Sequence, residues 1–194
     1  MKGYTSLYNE KKYKINDSEL EGIVNNAKQG DEKSLAMLCE YLYPKIFTYC
    51  FYRVNHKEDA EDLTGEVFLR MARSISTQHG RFSAWIYKIA FNIVTDFYRH
   101  RASEKNAFSE SGADYINKVS AGDETDKILN QEQLKKALGM LTEEQRNVLI
   151  LKFVQGYSND EAAEILGKST GAVKVLQFRA VKTLKELFAR DVWQ

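Results

Sequence analysis

Apolar residues recur at intervals of three and four along most of the chain. No stretch alternates apolar and polar residues for long enough to make a half-buried strand. The pattern therefore predicts an all-α protein. Helix starts are marked by Asp17 or Ser18, by Asp31, and by Asn55 with Glu58 three residues on. The single proline, Pro44, fits the first turn of a helix reaching about Val54. The periodicity lapses twice. Residues 1–16 are polar, basic and aromatic and read as a flexible tail. Residues 102–126 hold Ser, Gly and acid, carry no helical stripe, and read as a flexible acidic linker. That leaves two small helical domains, residues 17–101 and 127–194, with no repeat relating them.

Two helices of the first domain have unusual faces. In HKEDAEDLTGEVFLRMARSI, residues 56–75, Ala60, Leu63, Val67 and Met71 form the core stripe. The opposite stripe is Asp59, Asp62, Glu66, Leu69 and Arg73. An acidic face is ordinarily just hydrated. A partner surface is the alternative, favoured a little by exposed Leu69 and by Gly65, whose size permits close approach. In RFSAWIYKIAFNIVTDFYRHRA, residues 81–102, one apolar stripe is Phe82, Ile86, Ile89, Ile93 and Phe97. A second, on the far side, is Tyr87, Phe91, Val94 and Tyr98, and between the two run Trp85, Lys88, Asn92, Thr95 and Arg99. A helix apolar on two sides is normally central in a bundle. The mixed third stripe also suits single-stranded DNA, since bases stack on rings, cations follow the backbone, and Asn can read an unpaired base edge. Spacing alone leaves both readings open.

The second domain carries a clearer signal. Ser158 with Glu161 is a capping box opening NDEAAEIL, and Gly167 ends that helix as a left-handed cap. Ser169 or Thr170 then caps a longer helix, which makes a helix-turn-helix. At about 100° per residue, Val173, Leu176, Ala180, Leu184 and Leu187 fall on one buried face. Lys174, Val175, Phe178 and Lys182 point away from it, with Arg179 beside them. An aromatic ring among cations fits a recognition helix, where cations meet phosphates and base edges and a ring packs on a thymine methyl. The helix N-terminus near Thr170 and Gly171 can hold a phosphate. Upstream, LTEEQRNVLILKFVQGYS reads as a supporting helix, with Thr142 and Gln145 as its capping box, Leu141 as a staple and Gly156 as its end. Val148, Leu149, Leu151 and Phe153 supply its packing surface.

Charge sharpens the division. The net charge is only +1, but residues 127–194 hold 11 Lys and Arg against 8 Asp and Glu, and residues 102–126 hold 2 against 6. Cys39 and Cys50 are too few for a disulfide framework and read as reduced core residues. His56, His79 and His100 show no metal-ligand spacing. No apolar run approaches the roughly 20 residues of a membrane span. A cytoplasmic protein with no metal, no cofactor and no membrane insertion is expected.

Taken together, the two domains resemble the extracytoplasmic-function (ECF) group of bacterial RNA polymerase sigma factors. NHKEDAEDLTGEVFLRM is similar to that family's core-polymerase-binding segment, and RFSAWIYKIAFNIVTDFYRHR to its segment for melting and reading the −10 promoter element. LTEEQRNVLILKFVQGYSNDEAAEILGKSTGAVKVLQFRAVKTL resembles its −35-reading segment. The resemblance implies that Asp62, Leu63 and Glu66 meet the polymerase clamp, with Asp59 on the same acidic face as Asp62 and Glu66. It implies that Asn92, with the loop Gln78 to Arg81, handles a flipped −10 base, in the stripe shared with Trp85, Lys88 and Arg99. Lys174, Val175, Phe178 and Arg179, flanked by Thr170 and Lys182, would enter the −35 major groove. The acidic linker would thread polymerase channels otherwise used by RNA. Core RNA polymerase, promoter DNA and an anti-sigma factor are the partners implied.

The sequence departs from the family at three places. Gly65 stands where a longer polar residue, often Gln, is usual, the linker lacks proline, and Val175 and Gln177 replace residues more often Ser and Arg. The rival reading is a LuxR-like helix-turn-helix regulator that binds DNA without core polymerase, since LuxR-like DNA-binding segments share the run LT…GYSN…A…L. Such a regulator calls for an α/β first domain, which residues 17–101 do not resemble. No nucleophile elbow, P-loop or His-based triad speaks for an enzyme.

Overall fold

The computed structural model describes residues 15–54, 56–108 and 136–189, and no strand occurs among them. Helix α1 is Asp17–Lys28 and α2 is Glu32–Val54. The N-cap of α1 is Asn16, one residue earlier than expected. Its side chain accepts from the Glu19 amide at 2.9 Å and Glu19 Oε2 accepts from the Asn16 amide at 3.0 Å. Asp31 does cap α2, accepting from the Ser34 amide at 2.8 Å. Pro44 does not open a helix: it lies inside α2, which runs through it. A mid-helix proline removes one backbone hydrogen bond. The buried stripe Leu38, Leu42, Ile46, Tyr49, Cys50 spans the break and holds both halves to the core.

Helix α3 is Lys57–Ser74, with His56 at its cap position and no side-chain cap bond. Asn55, the expected cap, lies outside the described residues. A 3₁₀ turn, Ile75–Thr77, leads to α4, Phe82–Phe108. Helix α4 continues past Arg101, because SEKNAF contains neither proline nor glycine to stop it. The tail up to residue 14 and the linker from residue 109 lie outside the described residues.

The second block comprises a helical turn at 136–139, then α5 (Glu143–Leu149), α6 (Asn159–Leu166) and α7 (Thr170–Ala189). Helix α5 runs directly into a π-turn, Ile150–Val154. There the Gln155 amide donates to the Ile150 carbonyl, five residues back, at 3.0 Å. Gly156, at φ 78°, then closes the segment in the left-handed region, as a helix-ending glycine should.

Helix α2 packs against α1, α3 and α4; α7 packs against α5 and α6. Ile46, Tyr49, Val67, Met71, Ile86 and Val94 are fully buried in the first block, and Val148, Ile150, Val173 and Ala180 in the second. The two blocks also touch: α6 packs on α4, and the π-turn packs on α2. Ile86→Ala in α4 should lower the unfolding free energy by about 2–5 kcal/mol. Urea titration followed by circular dichroism reads this directly.

Candidate nucleic-acid interface

Side-chain caps build the helix-turn-helix locally. Ser158 Oγ accepts from the Glu161 amide at 3.2 Å, and Glu161 Oε2 accepts from the Ser158 amide at 2.7 Å. The bond from the Ser158 amide, with the Ser158 hydroxyl beside it, holds the Glu161 carboxyl below its ordinary range. Gly167 ends α6 at φ 62°, ψ 36°. The cap of α7 is Ser169, whose Oγ accepts from the Ala172 amide at 3.1 Å. Thr170 Oγ1 donates to Asp160 Oδ1 at 2.7 Å, tying α7 to α6. Lys168 reaches Glu144 of α5 at 2.6 Å. Arg146 of α5 donates to the carbonyls of Leu138, Gly139 and Leu141, which fixes the turn before it.

This scaffold leaves one face of α7 open. Val173 and Ala180 are buried, and Leu176, Leu184 and Leu187 half-buried. Lys174, Val175, Phe178, Arg179 and Lys182 are all exposed, Phe178 at 71%. Its ring has no cover from the core that its own helix builds. From Thr170 to Lys185 the helix holds no carboxylate, so its field is positive until Glu186, 3.9 Å from Lys182. The Thr170 hydroxyl is bonded within the scaffold, to Asp160.

On α4, Lys88, Asn92 and Arg99 are exposed, Trp85 is half-buried with its ring 5.7 Å from Phe82, and Thr95 donates to Glu143 of α5 at 3.3 Å. Arg99 has Asp96 at 3.5 Å. The second apolar stripe meets two partners. The Tyr87 ring lies 5.7 Å from Tyr49 of α2 and 5.7 Å from Tyr157 of the second block. Both apolar stripes are therefore largely covered, with Tyr98 exposed at the end of the second, and α4 is central while Lys88, Asn92 and Arg99 stay accessible. In the loop before α4, the buried Gln78 is tied down: Lys28 donates to its carbonyl at 2.6 Å, and its own amide donates to Gly80 at 2.6 Å. Arg81 pairs with Glu164 at 2.7 Å and lies 3.7 Å from Glu161.

On α3, Asp62 is exposed and Glu66 pairs with Arg70 at 2.5 Å. Asp59 is half-buried, 3.5 Å from Arg101 and 3.6 Å from His56. Leu63 lies in the core stripe, where its spacing puts it. It is 7% exposed and sits in the inner stripe with Ala60, Val67 and Met71, so it backs that face rather than lying on it. Leu69, 58% exposed, is the apolar residue that does face outward. Gly65 is exposed with open space where a side chain would stand.

Three residues escaped the sequence reading: Tyr49, Arg53 and Asn147. Arg53 is 3% exposed and donates to the Tyr49 hydroxyl at 2.8 Å, to Asn147 Oδ1, and to Glu143 Oε1 at 3.0 Å. The Tyr49 hydroxyl donates to Asn147 Oδ1 at 3.1 Å, and burial pushes that phenol far above its ordinary range. The available signal was an arginine set in the aromatic run YCFYRV. Cys39 and Cys50 are unpaired, and burial pushes the Cys50 thiol up to about 12, so it is protonated at neutral pH. Among the described residues no group of His, Cys, Asp and Glu could hold a metal, and no helix is long and apolar enough to cross a membrane.

A central helix with a mixed cationic stripe, followed by a helix-turn-helix with an open basic face, defines a two-part helical DNA-binding protein. Comparison with known proteins agrees. Residues 38–104 match the family described as Sigma-70 region 2, and residues 131–184 that described as Sigma-70, region 4. The chain is 35% identical over 174 residues to the ECF RNA polymerase sigma factor BldN of Streptomyces coelicolor, covering 87% of this chain and 66% of BldN. It is 31% identical over 162 residues to the ECF RNA polymerase sigma factor SigX of Bacillus subtilis, covering 80% of this chain and 84% of SigX. Among solved structures it is similar to the sigma factor RpoE in complex with the anti-sigma factor NepR from Bartonella quintana. That likeness has TM-score 0.65 and 25% identity, and covers 82% of this chain and 99% of that one. The chain belongs to the ECF group of RNA polymerase sigma factors. The region 2 match falls on the very residues a LuxR-like regulator would need for a different first domain, and it removes that reading.

Gly167→Ala should cost about 1–2 kcal/mol, because only glycine adopts its backbone angles freely. Thermal unfolding of the purified variant should show a lower midpoint with unchanged helicity at 20 °C.

Proposed function

We propose that this sigma factor divides its work between three faces. Helix α7 reads the −35 element in the major groove through Lys174, Val175, Phe178 and Arg179, with Lys182 and the α7 N-terminus at Thr170 on flanking phosphates. The observation that carries this is the bare Phe178 ring among cations on a helix whose opposite face packs on the core. An apolar ring costs free energy in water and gains a partner in a groove that presents thymine methyls.

The outward stripe of α4, with Trp85, Lys88, Asn92 and Arg99, takes the melted −10 strand, its rings stacking on bases and its cations following phosphates. The α3 face of Asp59, Asp62, Glu66 and Leu69 docks on core RNA polymerase, with Leu63 supporting it from behind. We assign residues 17–101 to core docking and −10 recognition, and residues 127–194 to −35 reading. The protein acts by binding rather than by catalysis, and in the cytoplasm, where polymerase and promoter meet. RpoE is solved with an anti-sigma factor. An anti-sigma factor is accordingly a partner here, covering the acidic or the DNA-binding face.

Phe178→Ala and Arg179→Ala should each weaken −35 recognition by about 1–3 kcal/mol, roughly a 5- to 150-fold loss of transcription from a two-element promoter, with core binding intact. In vitro transcription beside a core pull-down separates the two readouts, and equal loss of both contradicts the division. Asp62→Lys should reverse the pattern, lowering core affinity while the α7 face keeps its DNA contacts. Wild-type core affinity in that variant removes the α3 assignment.

A further inference from the structure

Helix α1 belongs to none of the three proposed faces, and it lies before the residues matched as Sigma-70 region 2, which begin at residue 38. It packs on α2 and on the 3₁₀ turn Ile75–Thr77, with Val24 and Ala27 as its buried side chains. Lys28, in its last turn, reaches from there into the loop before α4. The Lys28 ammonium donates to the Gln78 carbonyl at 2.6 Å and lies 3.4 Å from Gln78 Oε1, across 50 residues of sequence.

Gln78 passes this hold on. Its side-chain Nε2 donates to the Gly80 carbonyl at 2.6 Å, and its backbone N–H donates to the Ile75 carbonyl at 3.1 Å. Gly80 stands at φ 74°, a conformation that glycine adopts without a steric penalty. Gln78 is 3% exposed, whereas His79 and Gly80 are exposed. One inward side chain thus closes a small ring and turns its two successors outward, just ahead of Trp85 in the first turn of α4. So buried, Gln78 does not itself meet a base; it shapes the residues that can. Burying an amide costs free energy unless both of its ends are paired, and here both have partners.

A lysine suits the task. Its ammonium offers three donors from one centre, and a bond from a charged donor is stronger than a neutral one. Lys28 is half-buried, so salt screens that bond less than it would at the surface. A binding site that must place its contact atoms to within about 0.5 Å needs such support behind it.

We propose that Lys28 is a positioning residue for −10 recognition: through Gln78 it holds the turn at Gly80 in the shape that meets the unpaired base, and base choice at one −10 position depends on it. The DNA half of this statement rests on the function proposed above; the hold on the loop does not.

Lys28→Met keeps the aliphatic stem and removes the donors. Gln78→Glu keeps an acceptor for Lys28 and loses the donor to Gly80. Both should keep wild-type circular dichroism; if Lys28→Met loses helicity, Gln78→Glu decides alone. Hydrogen exchange on the free full chain, read by mass spectrometry over residues 76–84, tests the hold without polymerase. Exchange there should run on the order of tenfold faster in each variant, and unchanged exchange overturns the hold. Transcription with core polymerase on promoters randomised in the −10 element reads the consequence. Wild type should favour one base at one −10 position on the order of tenfold, and both variants should lose that preference while −35 preference and core affinity stay. Faster exchange with the preference intact overturns the specificity role. A uniform loss on every −10 sequence, with a salt slope smaller by about 1, makes Lys28 a phosphate contact and overturns positioning. A wild type that initiates with no base preference in the −10 element removes the −10 reading of the loop and the specificity role with it, and the exchange result still decides the hold.

Discussion

A helix that is apolar on two opposite sides has to be covered twice. Helix α4 is such a helix, and the arrangement of the chain follows from it. Within the first block, α2 and α3 pack along it. Tyr87, on its second stripe, is still not fully covered by α2, and Tyr157 of the second block completes the enclosure. The remaining strip, too polar to bury, stays in water as Lys88, Asn92 and Arg99. One helix thus sets the core of the first block, the docking site of the second, and the orientation of the stripe proposed to meet melted DNA.

Much of this was legible in the sequence, for identifiable reasons. Helix periodicity, the capping boxes at Thr142 and Ser158 and the left-handed Gly167 are local rules, satisfied by residues three or four apart. The open face of α7 follows from the same local geometry. What failed was whatever depends on distant residues. Pro44 reads locally as a helix start, but tertiary packing along α2 overrides it. Leu63 belongs to the inner stripe by spacing, and the family resemblance drew it outward; burial puts it back with its stripe. The Arg53 network joins residues 90 and 94 positions apart, and no periodicity within one helix announces it.

The two proposed DNA surfaces differ in how the fold supports them. The α7 face stands on a scaffold closed by its own short-range bonds: Thr170 to Asp160, Lys168 to Glu144, Ser158 to Glu161. It remains open while the blocks are packed together. The loop before α4 instead borrows support from across the chain, with Lys28 of α1 on Gln78 and Glu164 of α6 on Arg81. The first surface is held within its own block, whereas the second rests in part on residues of α1 and α6.

The π-turn at Ile150–Val154 carries a consequence for chain length. A π-turn takes up one residue more per hydrogen-bonded ring than an α-turn. Losing one residue there would let α5 continue as an ordinary α-helix, and each residue of such a helix turns by about 100°. Gln155 and Tyr157 would swing by that angle, away from Lys45 and Tyr87, and carry α6 with them. The number of residues between Leu149 and Gly156, independent of their identity, therefore sets which side of the helix-turn-helix the first block sees. In a lineage of such proteins, insertions and deletions at this turn would re-aim the second block more abruptly than any substitution on its surface.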